Sequence, residues 1–125
     1  MIPRYSLPEM TAVWSDQARL EHWLEIELLA VEAWAELGRI PAEDAATCRT
    51  RAAFTVEAVA EREAVTRHDI AAFVDVVAGS IGPEGRWIHF GMTSSDVLDT
   101  ALALQLRAAA DLLLSRLESL LAWPW

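Results

Sequence analysis

The sequence has a single cysteine, Cys48, so no disulfide can form within the chain. Its place in an alanine-rich helical stretch predicts a small buried or half-buried apolar residue. No stretch approaches the ~18 consecutive apolar residues that a membrane-spanning helix needs. The opening MIPRYSLPEM lacks an apolar signal-peptide core. These absences predict a cytoplasmic chain with no membrane partner. Basic residues are scarce, 10 against 19 acidic, for a net charge of −9. That balance excludes nucleic acid as a partner, because its phosphates need a basic face. A small anionic ligand stays allowed, since a local basic cluster can oppose the global charge. The three histidines follow neither the HxxxH nor the HExxH pattern, and no cysteine pair joins them, so no metal site is expected. A GxSxG elbow and a phosphate-binding glycine loop are also missing.

What remains is apolar and helical. The chain has 125 residues, 54% of them hydrophobic, enough for one domain with its own core. Apolar residues recur at helical spacing almost everywhere, and no strand pattern survives inspection. Pro8 suits the first turn of a short helix, PEMTAVW. Ser15 and Asp16 open a long helix that Gly38 closes, with Leu20, Leu24, Leu28, Val31 and Ala35 among its apolar positions. Pro41 starts a helix through about Ala53, and Thr55 caps another to about Val65. TRHD at 66–69 interrupts the pattern. Ile70, Phe73, Val74, Val77 and Ile81 then form one helical stripe. GPEGRW at 82–87 reads as a turn. The last helix runs from near Ser95 to about Ala122, before Pro124. The fold class is all-α.

That last helix spans about 42 Å at ~1.5 Å per residue. A compact chain of this length has a radius of gyration of only about 14 Å. The polar positions Asp96, Thr100, Arg107, Asp111, Ser115 and Glu118 form a narrow stripe, and most of the rest is alanine, leucine and valine. Such a helix is expected to be covered on more than one side, partly by another chain or by further protein.

Three stretches could carry chemistry. Arg4 and Tyr5 pair a guanidinium with an aromatic ring near the terminus; they suit an anion, or simply a disordered tail. Arg67, His68 and Asp69 fall where one helix stops and the next begins. Asp69 can cap the second helix, which would leave Arg67 and His68 at its positive end, a setting that suits a phosphate. A plain polar loop is the other reading. The third stretch is HFGMTSSDVLDT at 89–100. His89 follows Trp87 and Ile88, so it reads either as a core histidine donating to a backbone carbonyl or as a site residue. Gly91 allows a sharp turn or the close approach of a ligand. Thr93, Ser94 and Ser95 offer hydroxyls at a helix start, where they can cap the helix or cradle a carboxylate. His22, among Glu21, Glu25 and Glu27, reads as solvated surface. The runs EDAATCRTR and VEAVAEREAV read as solvated helix faces.

The opening MIPRYSLPEMTAVWSDQARLEHWLEIELLAVEAWAELGRIP, then TRHDIAAFVDVV, then GRWIHFGMTSSDVLDTALALQL resemble the N-terminal portion of the adenylosuccinate lyase family, within the fumarase/aspartase superfamily. The likeness runs from Met1 to about Leu121. TSSDVLDT is its most specific element, since fumarase and argininosuccinate lyase carry other residues there. The resemblance implies a helical domain over residues 1–94 and the start of a central helical bundle, truncated, over 95–125. It implies β-elimination of fumarate from adenylosuccinate, giving AMP, and from the succinylated carboxamide ribotide of purine biosynthesis, giving AICAR. It implies no cofactor, a nucleotide substrate and a homotetramer whose sites gather segments from three subunits. Arg4 and Tyr5 match the family's N-terminal nucleotide-contacting pair. Arg67, His68 and Asp69 match its next binding segment, with Arg67 and His68 near the phosphate. Thr93 and Ser94 match the residues that receive the succinyl portion, and Ser95 assists by position. His89 matches an active-site histidine in a supporting role, and His68 is the other candidate for a catalytic role, since either ring could in principle serve as an acid.

The sequence departs from the family in length. A histidine-bearing GRTHG-like segment, the proposed acid, and a mobile glycine- and serine-rich loop, the proposed base, are not present. The AWPW ending does not resemble a normal continuation. The expectation is an N-terminal fragment, inactive and self-associating on its own. The alternative class is a non-catalytic helical module for interaction or oligomerisation.

Overall fold

The computed structural model describes residues 2–124; Met1 and Trp125, in the opening and closing stretches quoted above, lie outside the described residues. A short 3-10 turn, Pro3–Tyr5, leads into α1 (Pro8–Val13) and α2 (Asp16–Glu36). Then come α3 (Ala42–Arg51), α4 (Val56–Thr66), α5 (Asp69–Ile81), a second 3-10 turn over Pro83–Trp87, and α6 (Ser94–Leu121). There is no strand among the described residues, as the all-α reading expects.

Local chemistry accounts for most boundaries. The Ser15 hydroxyl accepts from the Ala18 N–H at 3.1 Å to start α2, and Thr55 does the same for Ala58 at 3.1 Å to start α4. Gly38, at φ +68, carries the left-handed turn beyond α2. The third helix stops at Arg51 rather than Ala53. Ala52 turns extended, and the Ala53 N–H donates instead to the Ser80 hydroxyl of α5 at 2.9 Å. A side chain distant in sequence thus ends a helix that local pattern would continue. GPEGRW is a 3-10 turn, and α6 begins at Ser94 with Thr93 as its cap.

The core lies between α2, α5 and the first half of α6. Leu20, Trp23, Leu28 and Val31 from α2 meet Ile70, Phe73, Val77 and Ile81 from α5, with Val97 and Ala101 from α6. Each large side chain removed from water contributes about 1.5–3 kcal/mol. Trp23 and Phe73 pack edge to face at 5.5 Å, and Phe54 adds a second edge contact to Phe73 at 5.7 Å. Cys48 is fully buried, as its setting predicts.

Ion pairs tie neighbouring helices at the surface. Arg49 of α3 reaches Glu25 and Glu32 of α2, each at 2.6 Å, and Arg62 of α4 reaches Asp75 of α5 at 2.6 Å. The carboxylates hold Arg49 more firmly protonated than usual. EDAATCRTR is therefore not simply a solvated face. Its Arg49 bridges α3 to α2.

The sixth helix changes character along its length. Val97, Ala101, Gln105 and Ala109 are buried, and Gln105 donates to the Val13 carbonyl at 2.7 Å. Beyond Ala109 no described residue of α6 is buried, and Leu113, Leu114, Leu117, Leu120 and Leu121 are exposed. No helix among the described residues is long and apolar enough to cross a membrane.

Candidate active site

Among the described residues only two that are not glycine adopt positive φ: Arg67 at +53° and His89 at +66°. An L-residue in this region costs roughly 1–2 kcal/mol. Such strain persists only where surrounding contacts enforce it. Both residues come from stretches singled out for chemistry above.

Arg67 ends α4, its N–H bonded to the Glu63 carbonyl at 2.8 Å. The next residue then turns extended and α5 begins. Asp69 is the cap that the sequence suggests for α5, but His68 takes that role. Its Nδ1 accepts from the Ala71 N–H at 3.2 Å. Asp69 stands one residue too late to cap; its carboxylate turns back to the Ile70 N–H at 2.7 Å. Two of the first free N–H groups of α5, those of Ile70 and Ala71, are thus already engaged by side chains. An anion at this end would meet Arg67, which makes no ion pair among the described residues, and the far edge of the His68 ring. The helix dipole still favours negative charge there.

The His68 bond fixes chemistry as well as shape. An acceptor Nδ1 carries no proton, so the neutral ring bears its proton on Nε2. His68 therefore offers an N–H donor at its outer edge.

His89 is held in the opposite sense. Glu27, completely buried on α2, takes both polar groups of His89. One carboxylate oxygen accepts the His89 backbone N–H at 2.7 Å, and the other lies 2.6 Å from Nδ1. Where that carboxylate is ionised it can only accept, which places the ring proton on Nδ1. The reading of His89 as donor to a backbone carbonyl is corrected: its acceptor is a buried carboxylate. Each hydrogen bond to a charged group is worth about 1.5–3 kcal/mol. The pair can therefore offset the strained backbone. Sequence reasoning groups Glu27 with the surface carboxylates around His22. The missed signal is its register: Glu27 falls seven residues after Leu20 and four before Val31, on the apolar stripe of α2.

Aromatic rings fix the same loop from its flanks. Phe90 stacks edge to face on Trp34 at 5.7 Å and on Trp87 at 5.4 Å. Trp34 Nε1 donates to the Phe90 carbonyl at 3.0 Å, and Trp87 Nε1 to Asp44 at 2.7 Å. A Cβ on Gly91 would lie 3.0 Å from the Trp34 ring, at φ +73. Gly91 thus serves a sharp turn against an indole.

The helix start that follows has one capping hydroxyl position and two to spare. Thr93 is the cap, and Asp96 three residues on accepts the Thr93 N–H at 2.8 Å. Ser94 and Ser95 stand in the first turn, where no intrahelical carbonyl reaches their N–H groups.

His68, Ile70, Ala71, Val74, Asp75, His89 and Ser94 line one open cleft of about 330 Å³. Its size lies at the low end for ligand sites. Two of the three expected segments meet there: the start of α5 and the turn into α6. Asp75 in its wall is paired with Arg62. Arg4 and Tyr5 do not line the cleft. They lie in the exposed first turn, the Arg4 guanidinium 4.8 Å from the Tyr5 ring. Arg67, Asp69, Thr93 and Ser95 flank the lining residues in sequence without lining it themselves. His22 lies outside it too. No cluster of His, Cys, Asp and Glu that could hold a metal ion occurs among the described residues.

Known proteins resemble this chain over nearly its whole length. A family model for lyases matches residues 4–123. An adenylosuccinate lyase from Bacillus subtilis (strain 168) is 52% identical over 118 residues, covering 94% of this chain and 27% of that protein. An adenylosuccinate lyase from Streptococcus mutans serotype c is 46% identical over 122 residues, covering 98% of this chain and 28% of that protein. Among solved structures, a fumarate lyase from Mesorhizobium sp. BNC1 superposes with a TM-score of 0.81 at 29% identity, over 88% of this chain and 27% of that one. The chain therefore spans little more than a quarter of the length of these relatives.

Proposed function

The chain belongs to the lyase family, and on that premise we propose that its cleft serves an adenylosuccinate lyase reaction. That reaction eliminates fumarate from adenylosuccinate to leave AMP, and from the succinylated carboxamide ribotide to leave AICAR. The observation that carries the reading is the meeting of His68, His89 and Ser94 around one cleft. These residues come from two stretches that resemble the family's motifs.

The substrate has anionic groups at both ends, and the chain offers matching partners. Arg67, exposed and without an ion pair among the described residues, faces the phosphate as a charge-assisted donor. His68 adds its Nε2–H, and Asp69 holds the turn that carries both. At the other end, the Ser94 and Ser95 N–H groups, the hydroxyls of Thr93, Ser94 and Ser95, and the positive end of α6 receive the succinyl carboxylates. Arg4 and Tyr5 meet the nucleotide from the N-terminal turn. His89 supports the reacting centre. A base must remove a proton beside a carboxylate, and an acid must protonate the leaving nitrogen. This chain's part is to bind and orient the substrate for those transfers.

In the same reading residues 1–94 form the helical domain that holds the site, and 95–125 lead into a central helical bundle. The exposed leucines of α6 support an oligomer, a homotetramer by family resemblance. The setting is cytoplasmic purine biosynthesis.

A chimera tests the proposal. The 118 aligned residues of the Bacillus subtilis relative are replaced by those of this chain, and fumarate release from adenylosuccinate is followed. Turnover within about tenfold of the parent enzyme, a loss of no more than about 1.4 kcal/mol, supports the reading. A folded chimera with no turnover refutes it.

A further inference from the structure

We propose that Glu27 is a positioning residue that fixes the His89 tautomer, so that His89 offers Nε2 as a hydrogen-bond acceptor across the cleft from the His68 donor. The role in turnover rests on the lyase reading above; the tautomer does not. Glu27 is the fully buried carboxylate of α2, and His89 takes both of its oxygens, at 2.7 Å through the backbone and 2.6 Å through Nδ1. With Nδ1–H committed to Glu27, the neutral ring leaves Nε2 unprotonated. Nε2 has no protein partner among the described residues. His68 shows the reverse arrangement, Nδ1 accepting from Ala71 and Nε2–H left over. Both residues line the same cleft. The cleft thus has one donor edge and one acceptor edge. A donor group of the substrate, an N–H or a hydroxyl, is matched to His89, and an anionic oxygen to His68.

Donor and acceptor counting gives a sharp consequence for Glu27→Gln. The His89 backbone N–H can only donate, so it takes the new amide oxygen. The amide NH2 then points at Nδ1, which must accept. The proton moves to Nε2, and His89 presents a donor where an acceptor stood. A carboxylate that served only to hold the loop would leave the parent ring without a defined tautomer.

The test reads the imidazole nitrogens of the 125-residue chain by long-range proton–nitrogen NMR at a pH where the histidines are neutral. The expected parent result is a protonated Nδ1 on His89 and a protonated Nε2 on His68. In Glu27→Gln, His89 switches to a protonated Nε2 while His68 is unchanged. Glu27→Asp keeps the acceptor, so His89 keeps its parent tautomer; this variant decides the matter where Glu27→Gln does not fold. A parent His89 with its proton mainly on Nε2 overturns the assignment, as does the same tautomer in parent and Glu27→Gln. In the chimera, Glu27→Gln lowers kcat/KM by at least about tenfold, because a donor facing a donor forfeits the bond and leaves both groups unpaired. Glu27→Asp falls less. A switched tautomer with unchanged kcat/KM overturns the role in turnover. An inactive parent chimera refutes the lyase reading alone, and the NMR result still decides the tautomer.

Discussion

Gly85 lies in the 3-10 turn that delivers the chain from α5 to His89. A Cβ built there would fall 2.4 Å from the Ala78 carbonyl oxygen, 2.7 Å from its Cα and 2.9 Å from its carbonyl carbon. All three neighbours are backbone atoms of α5, so no side chain can rotate away. Restoring ordinary contact requires the turn and the helix to separate by about 1 Å, in an interior that packs as densely as a crystal. Overpacking of this kind costs about 2–4 kcal/mol. A domain of this size loses about 4 °C of melting temperature per kcal/mol. Gly85→Ala should therefore lower Tm by roughly 8–16 °C. It should also disturb His89, which follows the turn and depends on Glu27 for its position. Gly79 supplies the control. It lies inside α5, and a methyl group added there would meet nothing within 4 Å. Gly79→Ala should therefore gain about 0.5–1 kcal/mol from helix propensity. Calorimetry on the two variants reads both effects. If Gly85→Ala melts within 2 °C or so of the parent, or the two glycines respond alike, the α5 backbone does not crowd position 85.

Three further outcomes follow from charge and burial. Arg67→Ala in the chimera should weaken AMP binding, and the loss should shrink at high salt, because screening weakens the attraction between arginine and phosphate; equal affinity in calorimetric titrations would remove Arg67 from the phosphate site. The bond to Arg49 holds the Glu32 carboxyl below its ordinary value of 4.5, so its contribution to stability is present above that value and is lost as pH falls through the lowered one. Denaturant midpoints measured through the acid range should fall less steeply in Arg49→Met. Burial, then the charges of Asp44 and Glu84, push the Cys48 thiol above 9.0. The folded chain then keeps a proton that the unfolded chain loses, and stability declines as pH rises beyond that value; Cys48→Ala should flatten the decline.

Helices can be read from the sequence where caps and periodicity agree, as at Ser15, Thr55 and Gly38. They cannot where a distant partner decides. Ser80 ends α3 by taking the Ala53 N–H, and no local pattern encodes that. The candidate site divides the same way. RHD and TSSD are visible because their residue types and order are distinctive. Which residue caps α5 is not, since His68 and Asp69 differ only in where the turn directs their side chains. Glu27 lies hidden in a helix rich in surface carboxylates. Its register on the apolar stripe is legible, but its partner is 62 residues away. Only the folded chain brings the two together.

If His68 and His89 border the site where the substrate binds, both rings should sense a bound ligand. The most direct measurement follows the imidazole nitrogens of this chain, isotope-labelled within the active chimera, as AMP and fumarate are added to saturation. The Nε2 resonances of His68 and His89 should shift together, and those of His22, outside the cleft, should stay in place. Movement of His22 as large as that of the other two, or no movement of either cleft histidine while turnover continues, would place the substrate outside the cleft.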